Sequence, residues 1–294
     1  MSSRLPPSPL HTGGQGKSLL LLHGLGSAWR TWEPILPMLE RDFFVVAPTV
    51  PGHWGALPLR PAYQATPQSD ADEVENWLDH FGLDRVAVVG HSLGAWTALE
   101  LARRGRCETV VLLTPAGAWR SRADLVKVLV RSAAGHAVAR LMAPFAPQLM
   151  RLLPVRRAYF DFLVRDGRHI DVPDAVLELR AAAYCSAMIA ALYALARAEL
   201  MRPWHEHENP VHVVLAQKDR VLPFEQFEAP LLELVEPVEW LMLPDTGHLV
   251  HRDAPRQVAE IIRGAVLDGR MPKVDVRQDG RGRQLRSVSA ADLG

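Results

Sequence analysis

Apolar residues along the chain gather in two patterns. Short, nearly continuous apolar runs occur at 18–22, 43–47, 86–89, 109–113, 211–215 and 238–243. Runs of this length without polar alternation fit strands buried on both faces, as in a parallel sheet. Between them lie segments with helical spacing. Residues 70–81 place Val74, Trp77, Leu78 and Phe81 on one face and stop at Gly82. Residues 28–39, 95–102 and 255–267 also predict helices, the first with Pro34 and Pro37 in its interior. Strands alternating with helices predict an α/β fold with a mostly parallel, doubly wound sheet.

The rhythm breaks at about residue 118. From there to 203 the pattern predicts helices at 125–140, 155–164 and 174–201, with a stretch interrupted by Pro144 and Pro147. The expected layout is a core of 17–117 and 204–268 with an inserted helical cap at 118–203. Residues 1–16 read as a flexible segment holding at most a short edge strand. The Arg-rich stretch 269–294 reads as a disordered tail.

Composition narrows the function classes. The 294 residues are 48% hydrophobic and carry no net charge, which gives no basis for nucleic-acid binding. Cys107 and Cys185 are far apart in sequence and predict buried thiols, in keeping with a reducing cytoplasm. Residues 1–7 lack the apolar centre of a signal peptide, and no apolar run approaches the ~20 residues of a membrane span. The expectation is a cytoplasmic monomer or homodimer acting on a small molecule, with no membrane partner.

The chemistry enters at Gly90-His91-Ser92-Leu93-Gly94, between the 86–89 strand and the 95–102 helix. A serine flanked by glycines at a strand-to-helix turn is a nucleophile elbow. A serine hydroxyl needs a base during attack, and the base needs a carboxylate to fix its tautomer. His248, in Thr246-Gly247-His248, follows the last strand. Asp219, in Gln217-Lys218-Asp219-Arg220, follows the strand before it. Asp245 is the rival acid, but it lies only three residues from His248.

Together with His23-Gly24-Leu25-Gly26 and Pro51-Gly52-His53, these motifs resemble the α/β-hydrolase family over about residues 17–268. The resemblance implies a triad of Ser92, Asp219 and His248, with the backbone N–H groups of Leu25 and Leu93 as oxyanion donors. Losing one such donor typically costs ~10²–10³ in turnover. It further implies hydrolysis of a carboxylic ester or thioester through an acyl-enzyme on Ser92, with neither metal nor organic cofactor. The same triad could serve C–C bond hydrolysis of diketone-type substrates or a perhydrolase side activity. A ligand-binding receptor on this fold is the reading from a different class; a pseudo-enzyme is disfavoured because every triad position is filled. Two departures stand out. Thr49-Val50 stands where the family usually has an acid ahead of Pro-Gly-His. The leading antiparallel hairpin is short. Serine as nucleophile disfavours the subfamilies that attack with aspartate, the haloalkane dehalogenases and epoxide hydrolases.

Other residues have two readings. Trp29, Trp119, Met142 and Met188 either line a pocket or fill the core. His205-Glu206-His207 has metal-like spacing but lacks a third ligand, and reads as a solvated loop. The cap carries thirteen Arg/Lys against seven Asp/Glu, either solvated helix faces or a field that attracts anionic substrates.

Overall fold

The apolar runs form six strands of a seven-stranded sheet in a computed structural model. The structure describes residues 9–59, 63–203, 209–235, 237 and 239–272, and the backbone of 275–278 and 284–287. The strands are β1 (Leu10–Gly13), β2 (Lys17–Leu22), β3 (Phe43–Pro48), β4 (Val86–His91), β5 (Cys107–Leu113), β6 (Val211–Ala216) and β7 (Glu239–Leu243). Their order is β1-β3-β2-β4-β5-β6-β7. All neighbours are parallel except β1, which runs antiparallel to β3. Leu19 and Leu21 pack into one layer with Trp32, Ile35 and Ile261. Leu20 and Leu22 pack into the opposite layer with Val74, Leu78 and Leu99. Both faces are therefore buried, and that is why these strands read as unbroken apolar runs.

The helices are α1 (Leu36–Leu39), α2 (Pro67–His80), α3 (Leu93–Arg103), α4 (Arg122–Met142), α5 (Ala146–Leu149), α6 (Leu153–Phe160), α7 (Val172–Ala183), α8 (Met188–Arg197), α9 (Ala229–Val235), α10 (Val250–Asp253) and α11 (Pro255–Arg263). The helix expected at 28–39 is a 3₁₀ turn, Trp29–Trp32, followed by the single-turn α1. Pro34 and Pro37 withdraw the N–H groups a continuous helix needs. The helix expected at 174–201 is two helices, α7 and α8, bent by 62°. The break has a tertiary cause. The Ala187 amide and the Ser186 hydroxyl both donate to the Gly52 carbonyl, at 3.0 and 3.1 Å. Among the described residues no strand interrupts the stretch between β5 and β6.

The amino end holds the short edge strand allowed for it, whereas the carboxyl end differs from expectation. The edge strand at the amino end is real: β1 pairs Leu10 with Pro48 through Gly13 with Val45. Within the stretch read as a disordered tail, β8 (Asp275–Gln278) pairs antiparallel with β9 (Gln284–Ser287). Each of these four-residue segments holds a single apolar residue, Val276 or Leu285, among polar ones, which is too little apolar patterning to predict a strand. Both cysteines are free and buried, as expected.

Asp70, in the first turn of α2, is buried and accepts a hydrogen bond from the Tyr63 hydroxyl. Burial pushes its carboxyl up to about 7, against the opposing effect of that bond. A carboxyl whose folded pKa lies above its unfolded value stabilises fully below the unfolded value and loses that contribution as pH rises through the folded one. Asp70→Asn should therefore be more stable than the natural protein near pH 8, by about 1–4 kcal/mol, with the advantage gone near pH 4. Denaturant unfolding at the two pH values measures this; an equal difference at both would contradict it.

Candidate active site

The carboxyl ends of the parallel strands meet along one edge, and the elbow sits at its centre. Ser92 has φ 54° and ψ −117°, a backbone state that side chains other than glycine rarely occupy. Three backbone hydrogen bonds hold it there. Its amide donates to Leu113 O at 3.0 Å, and its carbonyl accepts from Ala95 and Ala116, both at 3.1 Å. The glycines on either side are sterically required. A Cβ on Gly90 would lie 2.4 Å from the Gly94 carbonyl oxygen, and one on Gly94 would lie 2.4 Å from Leu22 O. The sequence therefore dictates the turn, and the turn sets Ser92 at the amino end of α3.

His248 follows β7 and is buried. Its Nδ1–H donates to Asp219 Oδ2 at 2.7 Å. The other carboxylate oxygen, Oδ1, accepts from the Val221 and Leu222 amides, each at 2.7 Å. Asp219 is thus fixed by three donors and in turn fixes the imidazole. The His248 carbonyl accepts from Thr114 Oγ1 at 2.9 Å and from His91 Nε2 at 3.1 Å. His91, inside the elbow, therefore serves the backbone of the histidine loop. Burial first, and the neighbouring His248 and His251 next, hold His91 far below the ordinary histidine pKa, so it stays neutral. Asp245, the rival acid, is drawn away to Lys218 and Arg165.

The loop after β2 reaches the same place. His23 accepts from the Val50 amide through Nε2 at 3.2 Å, so its Nδ1 carries the proton and donates to Gly24 O at 2.8 Å. This pins the Gly24–Leu25 segment against the loop after β3. Among the described residues, the Leu25 and Leu93 amides meet no backbone acceptor. His53 stacks edge-on to His23 at 4.8 Å, and His251 bonds Thr31 from α10, so both are structural.

Ser92, His248, Leu25 and Leu93 all border one cavity of about 720 Å³. Trp119, Met142 and Met188 line it. Trp29 does not: its amide donates to Thr49 Oγ1 at 3.1 Å, and its ring stacks on His11 at 4.8 Å, beside β1. Trp96, Leu129, Phe162 and His136 line the cavity without having been singled out in the sequence. His136 is buried on α4 and donates from Nδ1 to Ala182 O at 2.7 Å. Glu228 is fully buried at the end of a π turn, Phe224–Glu228. Burial, with the Asp219 charge adding, pushes its carboxyl well above the usual range. No local motif marks either residue. His205-Glu206-His207 lies outside the described residues.

A family model, the alpha/beta hydrolase family, matches residues 19–261. The chain belongs to this family. Among curated relatives, epoxide hydrolase EphH of Mycobacterium tuberculosis is 31% identical over 204 residues, 65% of this chain and 91% of that protein. The magnesium-chelatase 30 kDa subunit of Rhodobacter capsulatus is 27% identical over 264 residues, 86% of each chain. Among solved structures, the epoxide hydrolase CorEH superposes with TM-score 0.67 at 19% identity, covering 86% of this chain and 92% of that one. A thermophilic esterase from Thermogutta terrifontis superposes with TM-score 0.66 at 21% identity, covering 89% and 93%. At these identities the structural likenesses speak to the fold.

The glycine geometry yields a test. Gly94→Ala forces a methyl group against the Leu22 and His23 carbonyls. It should destabilise by at least about 2–3 kcal/mol, or prevent folding. Thermal unfolding measures this; a melting temperature equal to that of the natural protein would contradict the packing.

Proposed function

We propose that this alpha/beta hydrolase cleaves carboxylic esters or thioesters through an acyl-enzyme on Ser92. The observation that carries the reading is the buried His248–Asp219 hydrogen bond at 2.7 Å, opening on the cavity that Ser92 also borders. Because Nδ1 is committed to Asp219, Nε2 is the nitrogen available to the serine. Ser92 Oγ attacks the carbonyl carbon while His248 takes its proton. The tetrahedral oxyanion sits against the Leu25 and Leu93 amides. His248 then protonates the leaving alcohol or thiol as the C–O or C–S bond breaks. A water, deprotonated by His248, attacks the acyl-enzyme and frees the acid. Asp219 stabilises the imidazolium without itself taking the proton.

Two observations separate this reading from ring opening of an epoxide, the chemistry in the names of two similar proteins. Epoxide hydrolases of this fold attack with an aspartate, and the elbow here holds a serine. Asp219 is engaged by two amides and His248, away from the elbow. The cavity wall, with Leu25, Trp96, Trp119, Leu129, Met142 and Met188, favours an apolar acyl group over a charged one.

Ser92→Ala should lower kcat/KM for p-nitrophenyl butyrate by at least about 10³-fold, and Asp219→Asn by about 10³–10⁴-fold in kcat. Both variants should keep the natural circular dichroism spectrum. Unchanged ester turnover in Ser92→Ala would overturn the proposal.

A further inference from the structure

Helix α4 is apolar on two opposite sides. Its inner side contributes Leu125, Leu129, His136 and Met142 to the cavity wall. Its outer side carries Val126, Val130, Ala134, Ala137, Val138 and Leu141. These are spaced so that they form one continuous stripe along the helix. All six are exposed, Val130 by 62% and Leu141 by 77%. Ala134 and Val138 also border the cavity, so the stripe runs up to its mouth. An apolar side of a helix is ordinarily covered, and α4 is covered on only one of its two apolar sides. The feature extends across the insertion. Twelve of the fourteen large apolar side chains exposed among the described residues lie between residues 118 and 203, including Phe145, Leu152, Ile189 and Tyr193.

Charge identifies what fits this face. The stripe is flanked by Arg122, Lys127, Arg131 and Arg140, with Asp124 as the one acid on the helix. Asp124 is engaged by Lys127 and Ser121. Among the described residues no carboxylate pairs with Arg131 or Arg140. Arg131 lies over the Phe162 ring, 6.0 Å from its centroid, and both residues border the cavity. The insertion as a whole carries thirteen basic against seven acidic residues in a chain of no net charge.

We propose that the outer face of the insertion, centred on the α4 stripe, docks on an anionic lipid bilayer, with the cavity mouth turned toward the lipid. A second copy of this chain fits less well, because a two-fold contact between stripes would set basic flank against basic flank. An anionic bilayer meets both features, taking the apolar stripe below the headgroups and the flanking cations at their level. This is contact in the plane of the surface. No single helix among the described residues is long and apolar enough to cross a membrane. The expectation of no membrane partner rested on the lack of a span, which surface docking does not require.

The full chain, sedimented with phosphatidylcholine vesicles with or without phosphatidylglycerol, tests the proposal. The natural protein should bind the anionic vesicles, and more weakly as salt rises. The double variant Val130→Glu, Leu141→Glu should bind at least about tenfold more weakly, and Arg140→Glu about five- to thirtyfold more weakly. Near-UV circular dichroism checks that each variant is folded, and Arg140→Glu alone decides the matter if the double variant is not. Neither Val130, Leu141 nor Arg140 lines the cavity, so failure here leaves the serine chemistry standing, and the converse also holds. Absence of binding by the natural protein, or equal binding by folded variants, would overturn the proposal. So would a solution dimer that the double variant dissociates, with no vesicle binding.

Discussion

The carboxyl edge of this sheet depends on one backbone constraint, the positive φ of Ser92. That state costs of the order of 1–3 kcal/mol and persists only where the surroundings over-determine it. Here they do: the Ser92 amide and carbonyl are both bound, and the glycines on either side are the only residues that fit between β4, α3 and the β2 carbonyls. Relaxing the turn would break the hydrogen bond to β5 and retract the hydroxyl from the cavity. The strain is stored where the proposed nucleophile must stand.

The histidine loop is held as firmly, from two directions. Thr114 and His91 bind the His248 carbonyl from the core side. From the insertion side, the Leu249 amide donates to Leu163 O at 2.9 Å. Asp253 Oδ2 accepts from both the Gly247 and Arg165 amides, at 2.7 and 2.8 Å, bridging the loop to the insertion. Arg252, nearly buried, pairs with Asp174 and Glu178 of α7. The helices that roof the cavity are therefore fastened to the same loop that carries His248, so the cavity roof and the position of the His248 imidazole share one set of contacts.

Much of this was legible in the sequence because the governing interactions are local or periodic. The inner strands betray themselves by apolar residues on both faces. The elbow betrays itself by two glycines whose requirement is steric and short-range. Asp219 and His248 follow from strand ends that a parallel sheet must bring together. What sequence reasoning missed was set by distant partners. The break between α7 and α8 comes from a bond to Gly52, more than 130 residues earlier. Trp29 turned toward β1 because Thr49 and His11 hold it. Glu228 and Asp253 matter through burial and bridging, which no local spacing encodes. The α4 stripe was hidden for another reason: a helix apolar on both sides shows no clear amphipathic period.

The central claim, that Ser92 is an activated nucleophile poised by His248 and Asp219, is tested most directly by covalent trapping. The folded protein is incubated with a fluorophosphonate probe and examined by intact mass and peptide mapping. The account predicts a single stoichiometric adduct on the peptide containing Ser92, with labelling slowed strongly in Asp219→Asn and absent in Ser92→Ala. A folded protein that takes no adduct, or takes it at another residue, would contradict the account.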